Sequence, residues 1–436
     1  MSSDTTLSPA LLEGDLRARD SRFVWHPWSP IDVEVERLMI TSGSGTRVTD
    51  DAGNEYLDAS SLNSTVGYGH PYVIEAMERQ LRVLHGVDMS ATNHPMAGAL
   101  AERIAGYLSP EMSRTLLLNS GSEAVEAAIM IASCYWRHLG ESRQRVVTFA
   151  RGYHGSTLLT RSLSGLPPTA HDHLVPLVVD QVELPLPAAE LRAPGGLDAL
   201  ADAFATAVDG HEHPPLAVVV EPLLNVGGGV VLPRGFLARL REICDRAGTL
   251  LIADEVFTGF GRTGRMFACE HEDVVPDILV SSKGLSGGYA PISAVTTRQD
   301  IYSTFKQDAW IGGLRYGHTT AGHAVACAAA LATLDIVEQD GLVENARLRG
   351  DELLELLAPL AGTQSVRDVR GLGLVVTLEA KDAGTAAGLA RQAQARGLLV
   401  RQQGEAVLVV PPMIISAHET QMVASRMTDA VEDLHG

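Results

Sequence analysis

Between about residue 95 and residue 282, strand-length runs that are apolar throughout alternate with helix-length amphipathic segments. Helix-like MAGALAERIAGYL (96–108) precedes RTLLLN (114–119), and helix-like SEAVEAAIMIASCYWRHLG precedes QRVVTFA (144–150). PLAVVVEP (215–222), helix-like RGFLARLREICDRAG (234–248), TLLIADEV (249–256) and DILVSS (277–282) continue the pattern. A strand with no polar face needs cover on both faces, so the alternation predicts an α/β domain with a mostly parallel sheet. After a Gly/Thr-rich stretch at 312–323, a long helical run leads into GLGLVVTLEA, TAAGLARQAQARG and AVLVVPP, which predict a smaller α+β domain. Near the start, RVTDDAGNEYLDA (47–59) reads as a hairpin and HPYVIEAMERQLRVL (70–84) as a helix. The expected division is an N-terminal segment packing with the small domain (1–65), a large domain (66–325) and a C-terminal small domain (326–436).

The 436 residues carry a net charge of −19, which disfavours both a nucleic-acid partner and an anionic membrane surface. No apolar run approaches the length of a membrane span, and the first residues lack the basic and apolar regions of a secretory signal. Cys134, Cys244, Cys269 and Cys327 are widely spaced, so neither a disulfide framework nor a zinc site is expected and a cytoplasmic location fits. Only Lys283, Lys306 and Lys381 are lysines among 34 basic residues. Where arginine is the habitual cation, a lysine in an apolar, glycine-rich setting invites a chemical role, because an amine can lose its proton and a guanidinium cannot.

Four motifs carry chemistry. Asn119-Ser120-Gly121-Ser122-Glu123 follows a strand and opens a helix; Ser120 and Glu123 form a capping box, and the free amides at such a start suit a phosphate. The plain alternative is a capped helix without a ligand. Gly152-Tyr153-His154-Gly155 ends a strand and could lay an aromatic ring over a planar ligand; a tight turn with a half-buried tyrosine is the alternative. Asp254-Glu255 ends TLLIA, at the edge where a parallel sheet opens its binding crevice, and could hold a cationic ring nitrogen or a metal. No ligand-spaced cluster accompanies it, and His171-Asp172-His173 and His211-Glu212-His213 read as solvated loops. Lys283 follows DILVSS and precedes glycines; apolar surroundings lower an amine's pKa and make it a nucleophile for Schiff-base chemistry. Gly259-Phe260-Gly261-Arg262-Thr263-Gly264 matches the dinucleotide fingerprint letter for letter, which makes an NAD-dependent dehydrogenase the remote alternative. It comes late in the chain, and a poor helix follows it.

These motifs in this order resemble the class III aminotransferases, which carry pyridoxal 5'-phosphate on a type I fold. The resemblance runs from about residue 23 to the C-terminus and is most specific in LLIADEVFTGFGRTG followed by DILVSSKGLSGG. It implies that Lys283 is the Schiff-base lysine and Asp254 the partner of the pyridine nitrogen. It implies that Tyr153 stacks on the ring, Ser120, Gly121 and Ser122 hold the phosphate, and Glu221 lies near the cofactor. GHTTAGHAVACAAA matches the place where a neighbouring subunit's threonine grips the phosphate, which implies Thr319, with Gly317 and His318 beside it, and a homodimer with shared active sites. Thr320 and Ala324 replace the aromatic and the proline usual there.

Val226 and Leu408 stand where ornithine and 4-aminobutyrate aminotransferases carry a switch glutamate and an arginine. WHPWSP, YWRHLGESRQRVVTFARGYHG and LREICDRAGTLLIADE are similar to the 7,8-diaminopelargonate synthase branch of biotin biosynthesis, which uses S-adenosylmethionine as donor. Arg401 matches that branch's carboxylate-binding arginine. Trp28 replaces its tyrosine, and Leu62 and Asn63 stand in a shortened segment where it has two tryptophans. The expectation is therefore a relative that keeps the cofactor machinery and aminates another ketone or aldehyde of a specialised biosynthetic pathway, such as a modified peptide or an antibiotic intermediate. Trp28, Leu62, Asn63, Gly317 and Arg401 are the candidate substrate residues. Diaminopelargonate synthase is the alternative. Another outcome on the same cofactor, or a binding protein without catalysis, stays open.

Overall fold

The computed structural model describes residues 15–28, 37–166 and 177–434. His171-Asp172-His173 lies outside these residues. The described chain opens with helix α1 (Leu16–Phe23) and the antiparallel strands β1 (Ile40–Ser44), β2 (Arg47–Asp50) and β3 (Glu55–Ala59). Helices α2 (Pro71–Val83) and α3 (Pro95–Ala105) lead to β4 (Met112–Leu118), α4 (Gly121–His138), β5 (Arg145–Phe149) and α5 (Leu158–Leu163). Next come β6 (Val178–Val182), α6 (Gly196–Asp209), β7 (Ala217–Val220), the short hairpin β8 (Leu223–Leu224) and β9 (Val230–Val231), and α7 (Phe236–Ala247). Strands β10 (Leu250–Asp254), β11 (Ile278–Ser281) and β12 (Ser293–Arg298) precede α8 (Gln299–Thr304). The last part comprises α9 (Ala324–Gln339), α10 (Leu342–Leu357), β13 (Val366–Gly371), β14 (Val376–Ala380), α11 (Ala383–Ala395), β15 (Leu398–Gln403), β16 (Ala406–Val409) and α12 (Ala417–Glu432).

The central sheet runs β4-β12-β11-β10-β7-β5-β6, and only β12 is antiparallel to its neighbours. Its strands are apolar throughout because each face has its own core. Val147, Val218 and Leu251 pack with Leu200, Phe204, Phe236 and Leu240 of α6 and α7. Val146, Val219 and Ile252 pack with Val125, Ile129 and Ala132 of α4 on the other face. This covered sheet is the α/β architecture expected of the large domain.

A second sheet runs β1-β2-β3-β15-β16-β14-β13, so the N-terminal strands extend the C-terminal sheet. The join is the parallel pairing of β3 with β15, Leu57 opposite Leu398. Helix α9 serves both halves: Cys327, Ala330 and Leu334 enter a core beneath the central sheet, while Ala329, Ala332 and Ile336 enter that of the second sheet. The G-x-G-x-x-G segment opens no α-helix and is a run of turns. Arg262 is buried there and donates to the Pro411 carbonyl at 2.6 Å, tying the central sheet's loops to the chain beyond β16.

Candidate active site

A cavity of about 760 Å³ opens between the C-terminal ends of the central strands and the β15–β16 turn. Tyr153, Asp254 and Lys283 line it, each just past or at the end of β5, β10 or β11. The apolar part of each strand stays in the sheet, and the polar residue that follows emerges at the crevice. Gly121, Ser122, Glu221, Trp28, Leu62 and Arg401 line the same cavity.

The start of helix α4 forms one wall of the cavity. Ser120 is its N-cap: its Oγ accepts from the Glu123 amide at 3.3 Å, and Glu123 Oε2 accepts from the Ser120 amide at 2.9 Å. A cap of this kind is worth about 1 kcal/mol to the helix. It leaves the Gly121 and Ser122 amides, which have no intrahelical acceptor, facing the cavity with the positive end of the dipole. Ser120 itself does not line the cavity; capping occupies its side chain. Ser122 Oγ accepts from the Ser156 amide at 3.1 Å, drawing the loop after Tyr153 onto the helix start. Gly155 makes this approach feasible: its φ is +130°, and a Cβ there would lie 2.7 Å from Ser122 Oγ.

Asp254 is 4% exposed and doubly anchored. Its Oδ2 lies 2.8 Å from His154 Nδ1, and its Oδ1 accepts from the Val256 amide at 3.1 Å. His154 Nε2 lies 3.0 Å from Thr148 Oγ1. Burial alone would push the imidazole pKa down, but the hydrogen bond to Asp254 and the charges of Asp254 and Glu221 outweigh it, and the value is raised. The next carboxylate, Glu255, turns the other way and accepts from the Ala268 and Cys269 amides at 3.0 and 2.8 Å. The two adjacent acids thus have different work: Asp254 faces the cavity, and Glu255 fastens a loop.

Glu221, just past β7, accepts from the Tyr153 amide at 2.9 Å and the Asn225 amide at 3.3 Å. Burial raises its pKa to about 7; the neighbouring His154 lowers it and Asp254 raises it. Lys283 has φ +28° and makes no hydrogen bond or ion pair among the described residues. Burial lowers its pKa, partly offset by the charges of Asp254 and Glu221, and the Arg401 charge lowers it further. Arg401 reaches the cavity from β15 and has no carboxylate partner among the described residues. Trp28 stands at the mouth, 58% exposed, edge-on to Tyr153 with ring centroids 6.3 Å apart.

Besides Ser120, four of the expected residues lie outside the cavity lining. Asn63 is exposed, with its amide against Gly288, so only Leu62 of that pair reaches the cavity. Gly317 and Thr319 are exposed, and His318 stacks edge-on against Tyr316 with centroids 5.1 Å apart. Thr320 Oγ1 donates to Asn119 Oδ1 at 3.1 Å, which holds this segment on the outer side of the α4 start rather than within the cavity. Conversely, His154, Arg151 and Asn225 belong to the cavity wall without having been assigned a role from the sequence. His154 was legible as the other polar residue of its glycine-flanked motif; the other two carry no comparable signal.

The family model described as Aminotransferase class-III matches residues 30–431. The chain is a class III aminotransferase. This aminotransferase is 37% identical to "Adenosylmethionine-8-amino-7-oxononanoate aminotransferase" of Nitratidesulfovibrio vulgaris, over 95% of this chain and 81% of that protein. It is 34% identical to "Beta-alanine--pyruvate aminotransferase" of Pseudomonas aeruginosa, over 85% of this chain and 84% of the relative. Its fold matches a PLP-bound amine transaminase from an uncultivated Pseudomonas species with a TM-score of 0.88 and 32% identity, over 94% and 98% of the two chains. The cofactor is pyridoxal 5'-phosphate, and the fold is the PLP-dependent transferase type I fold. The residues fit it: a lysine without a partner among the described residues, a helix start and a buried carboxylate share one cavity.

Proposed function

We propose that the cavity transfers an amino group between a carboxylate-bearing partner and a ketone or aldehyde, with Lys283 and Asp254 as its central residues. Pyridoxal phosphate, when bound, supplies the carbonyl carbon that captures an amino group and the ring that draws off its electrons. Gly121 and Ser122 would hold the phosphate, Tyr153 would cover the ring face, and Asp254 would keep the ring nitrogen protonated. His154 holds the Asp254 carboxylate in place from behind. Lys283 Nζ, poorer in protons because it is buried, acts as nucleophile and then as the base that moves a proton at the substrate carbon bearing nitrogen. The observation that carries the reading is Lys283, without a partner among the described residues, in one cavity with Asp254.

Arg401 supports the carboxylate: it is a cation on the cavity wall with no acidic partner among the described residues. Val226 and Leu408 occupy the places of the switch glutamate and its arginine, so Arg401 works here without that switch. With Trp28 and Leu62 at the mouth, the acceptor is a ketone or aldehyde of specialised biosynthesis. The second reading, 7,8-diaminopelargonate synthesis, is favoured by the similarity to the Nitratidesulfovibrio vulgaris protein. Exposed Thr319 supports a homodimer in which it reaches a neighbour's phosphate site, and four free cysteines fit the cytoplasm. Single half-reactions test the substrate assignment. Bleaching of the cofactor band by alanine, glutamate or a diamine supports the altered acceptor. Bleaching by S-adenosylmethionine alone, with rescue of a biotin auxotroph, supports the second reading instead.

A further inference from the structure

We propose that His94 is a positioning residue for the cofactor phosphate: it ties down the turn at Gly322, so that Thr319 is presented in a fixed place to a neighbouring subunit. This deepens the reading above and rests on it, because Thr319 is there the residue that reaches the neighbour's phosphate site.

Thr319 is exposed, in a run of turns between α8 and α9. The Ala321 amide donates to the His318 carbonyl at 2.9 Å, and the His323 amide to the Thr320 carbonyl at 3.2 Å. Side chains attach this run to the rest of the subunit. Tyr316 donates its hydroxyl to the Glu123 carbonyl at 3.3 Å, and Thr320 Oγ1 donates to Asn119 Oδ1 at 3.1 Å, the latter in an exposed place. The attachment at Gly322 is shorter and buried: His94 Nε2 lies 2.6 Å from the Gly322 carbonyl oxygen. His94 is 6% exposed, and Gly322 is buried. The Cys327 thiol, a weak donor, reaches the same carbonyl at 3.5 Å.

The two ring nitrogens of His94 have separate duties. His94 is the N-cap of α3, and its Nδ1 accepts from the Ala97 amide at 3.3 Å. A ring nitrogen that accepts carries no proton, so Nε2 bears it and donates to the Gly322 carbonyl. Capping alone calls for a shorter residue such as serine or asparagine. The reach of the imidazole beyond the cap is used on Gly322. That glycine has φ +65°, a left-handed conformation that leaves the turn dependent on such a tie. Without Nε2 the buried carbonyl keeps only the thiol, and the turn gains by swinging toward water. Thr319 moves with it. A hydroxyl bonds a phosphate oxygen only within about 2.5–3.0 Å, so a shift of about 1 Å forfeits most of the contact.

The test times the release of pyridoxal phosphate from the loaded protein. The protein is diluted into alkaline phosphatase, which consumes the free cofactor, and the loss of the cofactor band is followed. Thr319→Ala should speed release by about tenfold, the worth of a hydrogen bond to a charged group. His94→Asn keeps an acceptor for the cap and gives up the reach to Gly322; it should speed release by about threefold or more. His94→Gln keeps an N–H at the reach of Nε2 and gives up the cap; it should release the cofactor at close to the wild-type rate, even if it melts lower. In the Thr319→Ala background His94→Asn should add nothing, because both changes remove one contact. If His94→Asn does not fold, His94→Ser, another capping residue without the reach, takes its place. Wild-type release in His94→Asn beside fast release in Thr319→Ala overturns the His94 assignment. So does a full effect of His94→Asn in the Thr319→Ala background, or a His94→Gln variant as leaky as His94→Asn. Unchanged release in Thr319→Ala overturns the Thr319 reading itself, and this proposal with it.

Discussion

Replacing Glu221 by Gln should shift the stability of the cofactor-free protein upward relative to wild type as pH rises from acid to alkaline. The pKa of Glu221 is raised from 4.5 to about 7, first by burial. The folded state therefore holds its proton more tightly than the unfolded state does. Below pH 4.5 the group is protonated in both states and contributes nothing. Between 4.5 and about 7 the unfolded chain releases the proton more readily, and stability falls as pH rises. Integrated over that shift, the penalty is on the order of 1 kcal/mol at pH 5 and 3 kcal/mol at pH 8. Glutamine keeps one oxygen for the Tyr153 amide at 2.9 Å, gives up the 3.3 Å bond from the Asn225 amide at every pH, and cannot ionise. The melting temperature of Glu221→Gln relative to wild type should thus rise by about 3 °C between pH 5 and pH 8, using the average unfolding entropy per residue. Scanning calorimetry on both proteins at matched concentration reads it. A difference independent of pH, or one that shrinks on going to alkaline pH, would refute the claim that the buried acid carries this penalty.

Three further outcomes follow from the site. Lys283→Ala should abolish turnover while the protein still takes up pyridoxal phosphate; turnover at the wild-type rate would reject the lysine's role. Asp254→Ala should lower the half-reaction rate by orders of magnitude, and His154→Ala by less, since it acts through Asp254; stopped-flow bleaching checks both, and an unchanged rate in Asp254→Ala removes the ring-nitrogen assignment. If Thr319 completes a neighbour's site, mixing Lys283→Ala with Thr319→Ala subunits should produce hybrids with one intact site and measurable activity, whereas no recovery in verified hybrids contradicts sharing.

The large domain was legible because strands covered on both faces must be apolar throughout, and because the polar residue closing each run emerges at the crevice. Tyr153, Asp254 and Lys283 could therefore be picked out before any contact was known. Strand β12 was not legible: Ser293–Arg298 has only two apolar residues, Ala294 and Val295, among hydroxyl residues and an arginine, and it pairs antiparallel with β4 and β11. The pairing of β3 with β15 joins segments more than 300 residues apart, and no local pattern reports it. The same holds for Asn225, which joins the cavity wall from the turn between β8 and β9. Asn63 fails for the opposite reason: one residue beyond Leu62, the chain has already turned its side chain toward Gly288.

The central claim is that one cavity brings a reactive lysine and a buried carboxylate to a bound pyridoxal phosphate. The most direct measurement is the absorbance spectrum of the protein loaded with pyridoxal phosphate, before and after addition of single amino donors, beside Lys283→Ala. The account predicts a visible cofactor band in the wild type that a donor bleaches, and a different spectrum with no catalytic bleaching in the variant. A wild-type protein that shows no such band, or a band that no donor alters, would contradict it.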